Sequence, residues 1–325
     1  MSANELKEGR DHAERGRGAS RPSEIPRAGW KDIAMRVKRE IADDNLSIIS
    51  AGVAFYAFLS IFPALAALTS IYGLVMEPTG LENHLRSIQG VLPPEAAQVV
   101  NNEVRRIGES ENSRLGWSLA VGILLALWSA AKGMKAMIES MNVVYDETES
   151  RGFLKLNAVA ILLTLGAILF VILCLGLIGA IPVFLGAVGM KGLLGPLVNY
   201  VRWPVLALGG VFALGVLYRY APSRRKPEWK WLTWGAAIAV LIWLSGSVLF
   251  SYYVTHFGSY NKTYGTLGVV VILMMWLLLS AFSVLLGAEI NAEIEHQAAE
   301  DTTVGEANPK GQRGAYVADT LGRES

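Results

Sequence analysis

The last apolar stretch of the chain ends in carboxylates and a histidine at helical spacing. Glu289, Glu293 and His296 follow one another at intervals of four and three residues, so a helix would present them on one face. Such groups can bind a metal ion, but in a helical bundle the site needs matching ligands from partner helices. No second Glu-x-x-His accompanies the first. The pattern therefore favours a charged helix end that leaves a membrane, and it predicts neither a metal site nor another cofactor.

Other arrangements that carry enzymatic chemistry are weak in this sequence. A metallo-hydrolase needs clustered His and Asp ligands to activate water, whereas the histidines lie far apart, at His12, His84, His256 and His296. There is no Walker-type phosphate loop and no extended basic, aromatic-rich surface that would suit RNA. We therefore expect neither an enzyme nor a protein that binds nucleic acid.

Polar side chains near the ends of the apolar stretches are the remaining candidates, because polar groups at membrane depth usually face a bundle interior or a cavity. The candidate cavity or transport residues are Tyr56, Ser60, Lys132, Lys135, Glu139, Asn142, Tyr260, Asn261, Lys262, Tyr264, Glu289, Asn291 and Glu293. Two alternatives stay open for members of this set. Small and polar residues of the first stretch can serve close helix packing, and the lysines can snorkel from a solvated helix end.

Six apolar stretches must position these side chains. Of 325 residues, 52% are hydrophobic and only 18% charged, below the roughly 25% charged residues of soluble domains. Long uncharged runs begin near residues 45, 115, 156, 203, 231 and 263, and about 20 helical residues span a bilayer core. The sequence predicts an all-α polytopic membrane protein with six transmembrane helices. On the last helix we expect a small-residue stripe to pack inward, formed by Ser280, Ser283, Gly287 and Asn291.

The remaining segments are polar. Residues 1–29 and 298–325 are predicted to be disordered cytoplasmic tails, and residues 30–44 an amphipathic interfacial helix whose basic face suits anionic lipids. A soluble helix packed on other loops is the alternative for 30–44. Within the six-span membrane domain, 45–297, residues 77–114 are predicted to form a small helical extracytoplasmic cap. Most of the 29 Lys and Arg residues lie in alternate segments that include both termini, which places both termini in the cytoplasm.

Several motifs in order resemble the YihY/BrkB family of inner-membrane proteins. They are GVAFYAFLSIFP at 52–63, LWSAAKG at 127–133, NVVYD at 142–146, LYRYAP at 217–222, GSYNKTYGTLG at 258–268 and LGAEINAE at 286–293. The resemblance covers residues 30–297 and implies a six-span protein of the bacterial inner membrane. Some members of that family are labelled ribonuclease BN, a label that the scattered histidines do not support.

Two functions from different classes fit these observations. The first is a transporter or flippase of an envelope amphiphile or small solute, with membrane lipids as its surroundings and an envelope lipid or small molecule as its substrate. The second is a non-transporting membrane scaffold that recruits partners through the cap or the basic loops. The sequence leaves the substrate, the energy source and the oligomeric state open.

Overall fold

A computed structural model describes residues 15–75, 115–180, 191–257 and 266–322 of the chain. These residues are helical, and within the described ranges the only β-type pairing is one isolated bridge between Pro227 and Thr303. The helices are α1 (Arg27–Asp43), α2 (Leu46–Val75), α3 (Leu115–Val144), α4 (Phe153–Leu175), α5 (Lys191–Tyr220), α6 (Trp229–Phe257), α7 (Thr266–Gln297) and the short α8 (Tyr316–Asp319). A 3-10 turn at Pro22–Glu24 precedes α1, and a π-helical turn at Gly176–Ala180 extends α4.

Five of these helices are long and apolar enough to cross a membrane. The stretches are Leu46–Pro63, Phe153–Ile178, Tyr200–Tyr220, Trp229–His256 and Gly268–Gln297. Much of their apolar surface points outward, as with Leu162 on α4 and Leu208 on α5, which are 67% and 69% exposed. The prediction of an all-helical membrane protein is confirmed. A sixth span in α3 stays a prediction, and the predicted cap, 77–114, lies outside the described residues.

The largest buried core lies at one end of the bundle, which we call the polar end. There α2 and α6 begin and α3, α5 and α7 end. Leu46, Ile138, Tyr145, Tyr218 and Leu285 are fully buried together at this end. Since these side chains come from α2, from α3 and its C-terminal end, from α5 and from α7, the core fixes the relative positions of four helices.

Helices α6 and α7 approach each other through glycine. A Cβ atom at Gly287 would lie 2.5 Å from both the Ala239 Cβ and the Tyr218 hydroxyl, and 2.7 Å from the Gly235 carbonyl oxygen. Only glycine fits such a close backbone approach. Ser283 and Asn291, on the same face of α7, are fully buried. The predicted inward packing of this stripe is confirmed.

Both terminal segments pack on the polar end where the structure describes them, in contrast to the expected disordered tails. Ala19 and Ile25 are buried in a cluster with Trp231 and Ile294. At the other terminus Val317 is fully buried in the main core. These segments carry apolar side chains at the few positions that contact the bundle, so their polar average composition hides the residues that order them.

Helix α1 is packed against α7 along one face. Ile33 and Val37 are buried, as expected of its apolar face, but Asp32 and Arg36 on its polar side are buried as well. Lys31, by contrast, is exposed. The helix therefore joins the protein through both apolar and ionic contacts, and its placement on a leaflet surface stays a prediction.

Candidate functional site

The C-terminal part of α7 brings three carboxylates into the interior of the polar end. Glu289, Glu293 and Glu295 are 1%, 3% and 0% exposed. Glu289 and Glu293 lie one helical turn apart, whereas Glu295 points to a different side of the helix. A buried charge is costly unless it is paired, so the partners of each carboxylate decide what it can do.

Glu293 is fully paired. The Arg36 Nε donates to Glu293 Oε2, and the same guanidinium donates to the Glu293 carbonyl oxygen at 3.0 Å and to Gln297 Oε1 at 2.9 Å. His296 Nδ1 lies 3.2 Å from Glu293 Oε1, while His296 Nε2 lies 2.9 Å from the Thr320 hydroxyl. Glu293 therefore ties α1, α7 and the C-terminal segment together.

Glu295 is paired with the loop between α5 and α6. Arg224 donates to Glu295 Oε2 at 2.5 Å, with both side chains almost completely buried, and the Thr302 hydroxyl donates to the same oxygen at 2.8 Å. The guanidinium also lies over the Tyr145 ring, 4.8 Å from its centroid. The nearby carboxylates raise the pKa of Arg224 further above its ordinary value, which outweighs the opposing effect of burial, so this group is a permanent cation.

Glu289 differs from both in the charges of its neighbours. Its Oε2 atom is buried and has no hydrogen-bond partner among the described residues. The charged groups that act on it most strongly are all acidic: Asp44, Glu293, Glu40 and Asp146. Glu289 is therefore a buried carboxyl group whose strongest charged influences come from other carboxyl groups.

Three of the acidic groups, Glu40, Asp44 and Asp146, lie nearer to solvent than Glu289 and have raised pKa values. Burial raises the pKa of Asp44 to about 7, and the charges of Asp146 and Glu40 add to the effect. Burial is also the main cause that raises the pKa of Asp146 and of Glu40. We call Glu289 with Glu40, Asp44 and Asp146 the acidic pocket.

Two of the predicted polar site residues hold the structure together. Asn291 accepts a hydrogen bond from the Gly235 backbone amide at 2.8 Å and donates to the Leu232 carbonyl oxygen at 3.1 Å, which locks α6 to α7. Asn142 accepts from the Ser223 amide at 2.8 Å and donates to Glu149 at 3.1 Å. Both asparagines are buried, and their hydrogen bonds join loops and helices.

The predicted charged face of α3 is not gathered in the acidic pocket. Lys132 is exposed, with its ammonium 3.8 Å from the centroid of the Trp128 ring, and Glu139 is exposed. Lys135 is half-buried, with its ammonium 5.7 Å from the centroid of the Phe153 ring. An ammonium held over an aromatic ring is typical of a snorkelling lysine.

On α2, Tyr56 is exposed, and the Ser60 hydroxyl donates to the Ala57 carbonyl oxygen at 2.7 Å. The backbone at Tyr56 lies close to Gly133 of α3, which fits the packing alternative for this stripe. The candidates Tyr260, Asn261, Lys262 and Tyr264 lie outside the described residues.

An apolar cleft lies between α2, α6 and α7. Its volume is about 600 Å³, and its lining residues are Ser47, Gly246, Leu249, Phe250, Tyr253, Met275, Leu278, Leu279 and Phe282. Ser47 stands in the first turn of α2, at the polar end of the bundle. We call this space the α2–α6–α7 cleft.

Sequence reasoning missed the partners that make the site. Arg36 falls within the predicted amphipathic helix, 30–44, and Arg224 falls in a polar segment between two predicted spans. Their roles come from pairing across the chain, with Arg36 and Glu293 separated by 257 positions. One signal was available, since Glu295 adds a third carboxylate to a helix end that can bury charge only if cations meet it. Among the residues that the structure describes, no three His, Cys, Asp or Glu side chains are grouped so that they could hold a metal ion.

A family model and several related proteins match most of this chain. The family model described as Virulence factor BrkB matches residues 37–311. A protein named putative ribonuclease-like protein YfkH, from Bacillus subtilis, is 33% identical over 251 residues, which cover 75% of this chain and 88% of the relative. A UPF0761 membrane protein from Tolumonas auensis is 26% identical over 79% of this chain and 83% of its own length, and one from Idiomarina loihiensis is 25% identical over 78% and 87%. No solved structure matches.

Proposed function

The chain belongs to the Virulence factor BrkB family of integral membrane proteins, and on that premise we propose that it carries a lipid-like amphiphile of the bacterial envelope across the inner membrane. The observation that carries the proposal is the α2–α6–α7 cleft. Both termini face the cytoplasm in this proposal, as the positive-inside rule indicates. The word ribonuclease-like belongs to the name of one relative, whereas the other relatives named above are called membrane proteins.

The dimensions and the lining of the cleft suit a hydrocarbon chain. Its volume of about 600 Å³ falls within the range of ligand pockets, about 300–1,000 Å³. Leu249 and Met275 on its rim are 68% and 45% exposed, on helices whose outer surface is apolar enough to face lipid. The hydrocarbon chain of an amphiphile can therefore enter the cleft from the bilayer. Filling the cleft restores the dispersion contacts that an empty space would lack.

The polarity of the cleft favours an amphiphile over a small polar solute. Ser47 and Tyr253 are the polar side chains among its described lining residues, which is too few to replace the hydration of a polar solute. Ser47 lies three positions after Asp44, where the cleft meets the polar end. An amphiphile with its chain in the cleft would place its headgroup at this junction.

Two matched substitutions test the proposal. Leu249→Trp puts an indole at the rim of the cleft, where it narrows the entrance, whereas Leu169→Trp puts the same side chain on the outer face of α4, where Leu169 is 57% exposed. Purified protein is reconstituted into vesicles with fluorescent phosphatidylglycerol or phosphatidylethanolamine, and movement between leaflets is followed by quenching from outside. We expect wild type and Leu169→Trp to move lipid at the same rate and Leu249→Trp to be slower by about tenfold, or about 1.4 kcal/mol in the barrier.

Mass spectrometry of lipids retained after purification gives a second reading that is independent of the headgroup chosen. The wild type and Leu169→Trp should retain the same amphiphile, and Leu249→Trp should have lost it. Equal rates and equal retention for both tryptophan variants would contradict the proposal and favour the scaffold hypothesis.

A further inference from the structure

The acidic pocket contains a buried carboxyl group that the rest of the polar end leaves unpaired. Glu289 is 1% exposed, and its Oε2 has no hydrogen-bond partner among the described residues. An isolated ionised carboxylate in such surroundings is strongly destabilising. The group is stable in the interior only as the neutral acid or with a cation bound to it.

The two arginines that pair with the carboxylates of α7 are bound to groups other than Glu289. Arg36 is bound to Glu293 and Gln297, and Arg224 is bound to Glu295. The charged groups that act most strongly on Glu289 are instead acidic: Glu40 from α1, Asp44 from the α1–α2 junction, Asp146 just after α3, and Glu293 on α7 itself. The buried phenol Tyr145 also lies close enough to interact with Glu289, and His296 interacts with Glu293.

The arrangement selects a small cation that needs one carboxyl group. A divalent metal needs several oxygen ligands at short range, and within the described ranges no three acidic or histidine side chains are grouped to provide them. A proton needs only one oxygen. We infer that Glu289 is a proton-binding site, which exchanges its proton with the polar end through Asp44 and Asp146.

The surroundings of Glu289 support proton exchange at physiological pH. Asp44, at the edge of the pocket, has a pKa raised to about 7 by burial and by its acidic neighbours, so it both takes up and releases protons there. Asp44 also lies near the cleft, because the lining residue Ser47 follows it by only three positions. On α7, Phe282 of the cleft precedes Glu289 by seven residues, about 10 Å along the axis.

The position of Glu289 and Asp44 near the α2–α6–α7 cleft suggests a role for the bound proton. Proton binding stands on the geometry of the pocket alone, whereas its role as the coupling ion for amphiphile movement rests on the proposed function. A change of charge at Glu289 alters the electrostatic repulsion from Asp44, at the junction where the headgroup would sit.

The binding step is tested by infrared titration of the full chain in lipid nanodiscs. The carbonyl stretch of a protonated carboxyl group is followed from pH 5 to pH 9 in wild type, Glu289→Gln and the matched control Glu300→Gln, which changes an exposed glutamate. Wild type and Glu300→Gln should show the same protonated-carboxyl signal, and Glu289→Gln should lose the intensity of one group. An unchanged signal in Glu289→Gln overturns the assignment, as does loss of the signal at constant pH on adding Na⁺, Mg²⁺ or Ca²⁺, which would indicate a metal site.

A stability measurement guards against misfolding of the variant. Glutamine has the shape of the neutral acid, so Glu289→Gln should be at least as stable as wild type at pH 9, and the pH dependence of its unfolding should be weaker. A variant that is less stable than wild type across the whole range overturns the inference.

Coupling between proton binding and lipid movement is measured in vesicles with an imposed pH gradient. Gradient-dependent lipid movement in wild type that becomes gradient-independent in Glu289→Gln supports coupling. Movement that ignores the gradient in wild type overturns coupling and leaves proton binding intact. Failure of the Leu249→Trp test with a normal infrared signal overturns only the amphiphile proposal.

Discussion

Two ion pairs of nearly equal length in this protein should differ widely in what they contribute to stability. Arg224 and Glu295 lie 2.5 Å apart with side chains 1% and 0% exposed, whereas Lys230 and Glu228 lie 2.6 Å apart with side chains 41% and 42% exposed. The perturbation is the same in both, replacement of the cation by methionine. Because the two ion-pair distances nearly match, a difference between the stability losses of the two variants reports the effect of burial.

The expected loss of stability in each variant depends on the partners that its carboxylate retains. After Arg224→Met, Glu295 retains only the Thr302 hydroxyl on one oxygen, and its other oxygen already lacks a partner in the described structure. Leaving a buried charge uncompensated costs about 3–5 kcal/mol. After Lys230→Met, Glu228 is solvated, so the cost should be below about 1 kcal/mol.

The assay is reversible chemical unfolding in mixed micelles, at low and at high salt. High salt should reduce the small effect of Lys230→Met and leave that of Arg224→Met unchanged, because buried pairs are screened less. The double variant Arg224→Met with Glu295→Leu should recover most of the loss, since no unpaired charge remains. Equal costs for the two single variants, or no recovery in the double variant, would refute the reasoning.

Two further predictions concern the polar end. Gly287→Ala should destabilise the protein by about 1–3 kcal/mol, because the new Cβ meets Ala239 at 2.5 Å; unfolding of Gly166→Ala, whose Cβ meets nothing within 4 Å, is the control and should show no loss. Asp44 should destabilise the folded state increasingly as pH rises from about 4 to about 7, because the folded protein holds this proton more tightly than the unfolded chain. Asp44→Asn should therefore gain about 1–2 kcal/mol at pH 8, after allowance for solvent screening, and gain nothing at pH 4, and a gain that is independent of pH would contradict this cause.

Hydropathy and helical spacing were sufficient to predict the bundle. The uncharged run from residue 45 became α2, Leu46–Val75, and the α3 helix continued past its apolar part to Val144 as expected. The Gly287 stripe was predictable because small residues at helical spacing on an apolar helix indicate close packing. These features are local, so a single sequence contains them.

The site was less predictable because it depends on pairs that are distant in the chain. Glu289 and Glu293 have the same residue type and lie on one face, yet one is unpaired and the other is bound by Arg36. The difference arises from which side of α7 the first helix covers, and periodicity does not specify that. The ordered terminal segments were missed for a related reason, since a few apolar contacts such as Val317 outweigh a polar composition.

The contacts of α1 and of the C-terminal segment with α7 have a consequence for the assembly of the protein. Glu293 is synthesised 257 residues after Arg36, and the Gly322 backbone, whose amide donates to the His296 carbonyl oxygen at 3.0 Å, is synthesised later still. The guanidinium of Arg36 must therefore stay hydrated until α7 has been inserted. The ion pair between Arg36 and Glu293 thus forms only after the intervening helices are in place, so it is a late step in the assembly of the polar end.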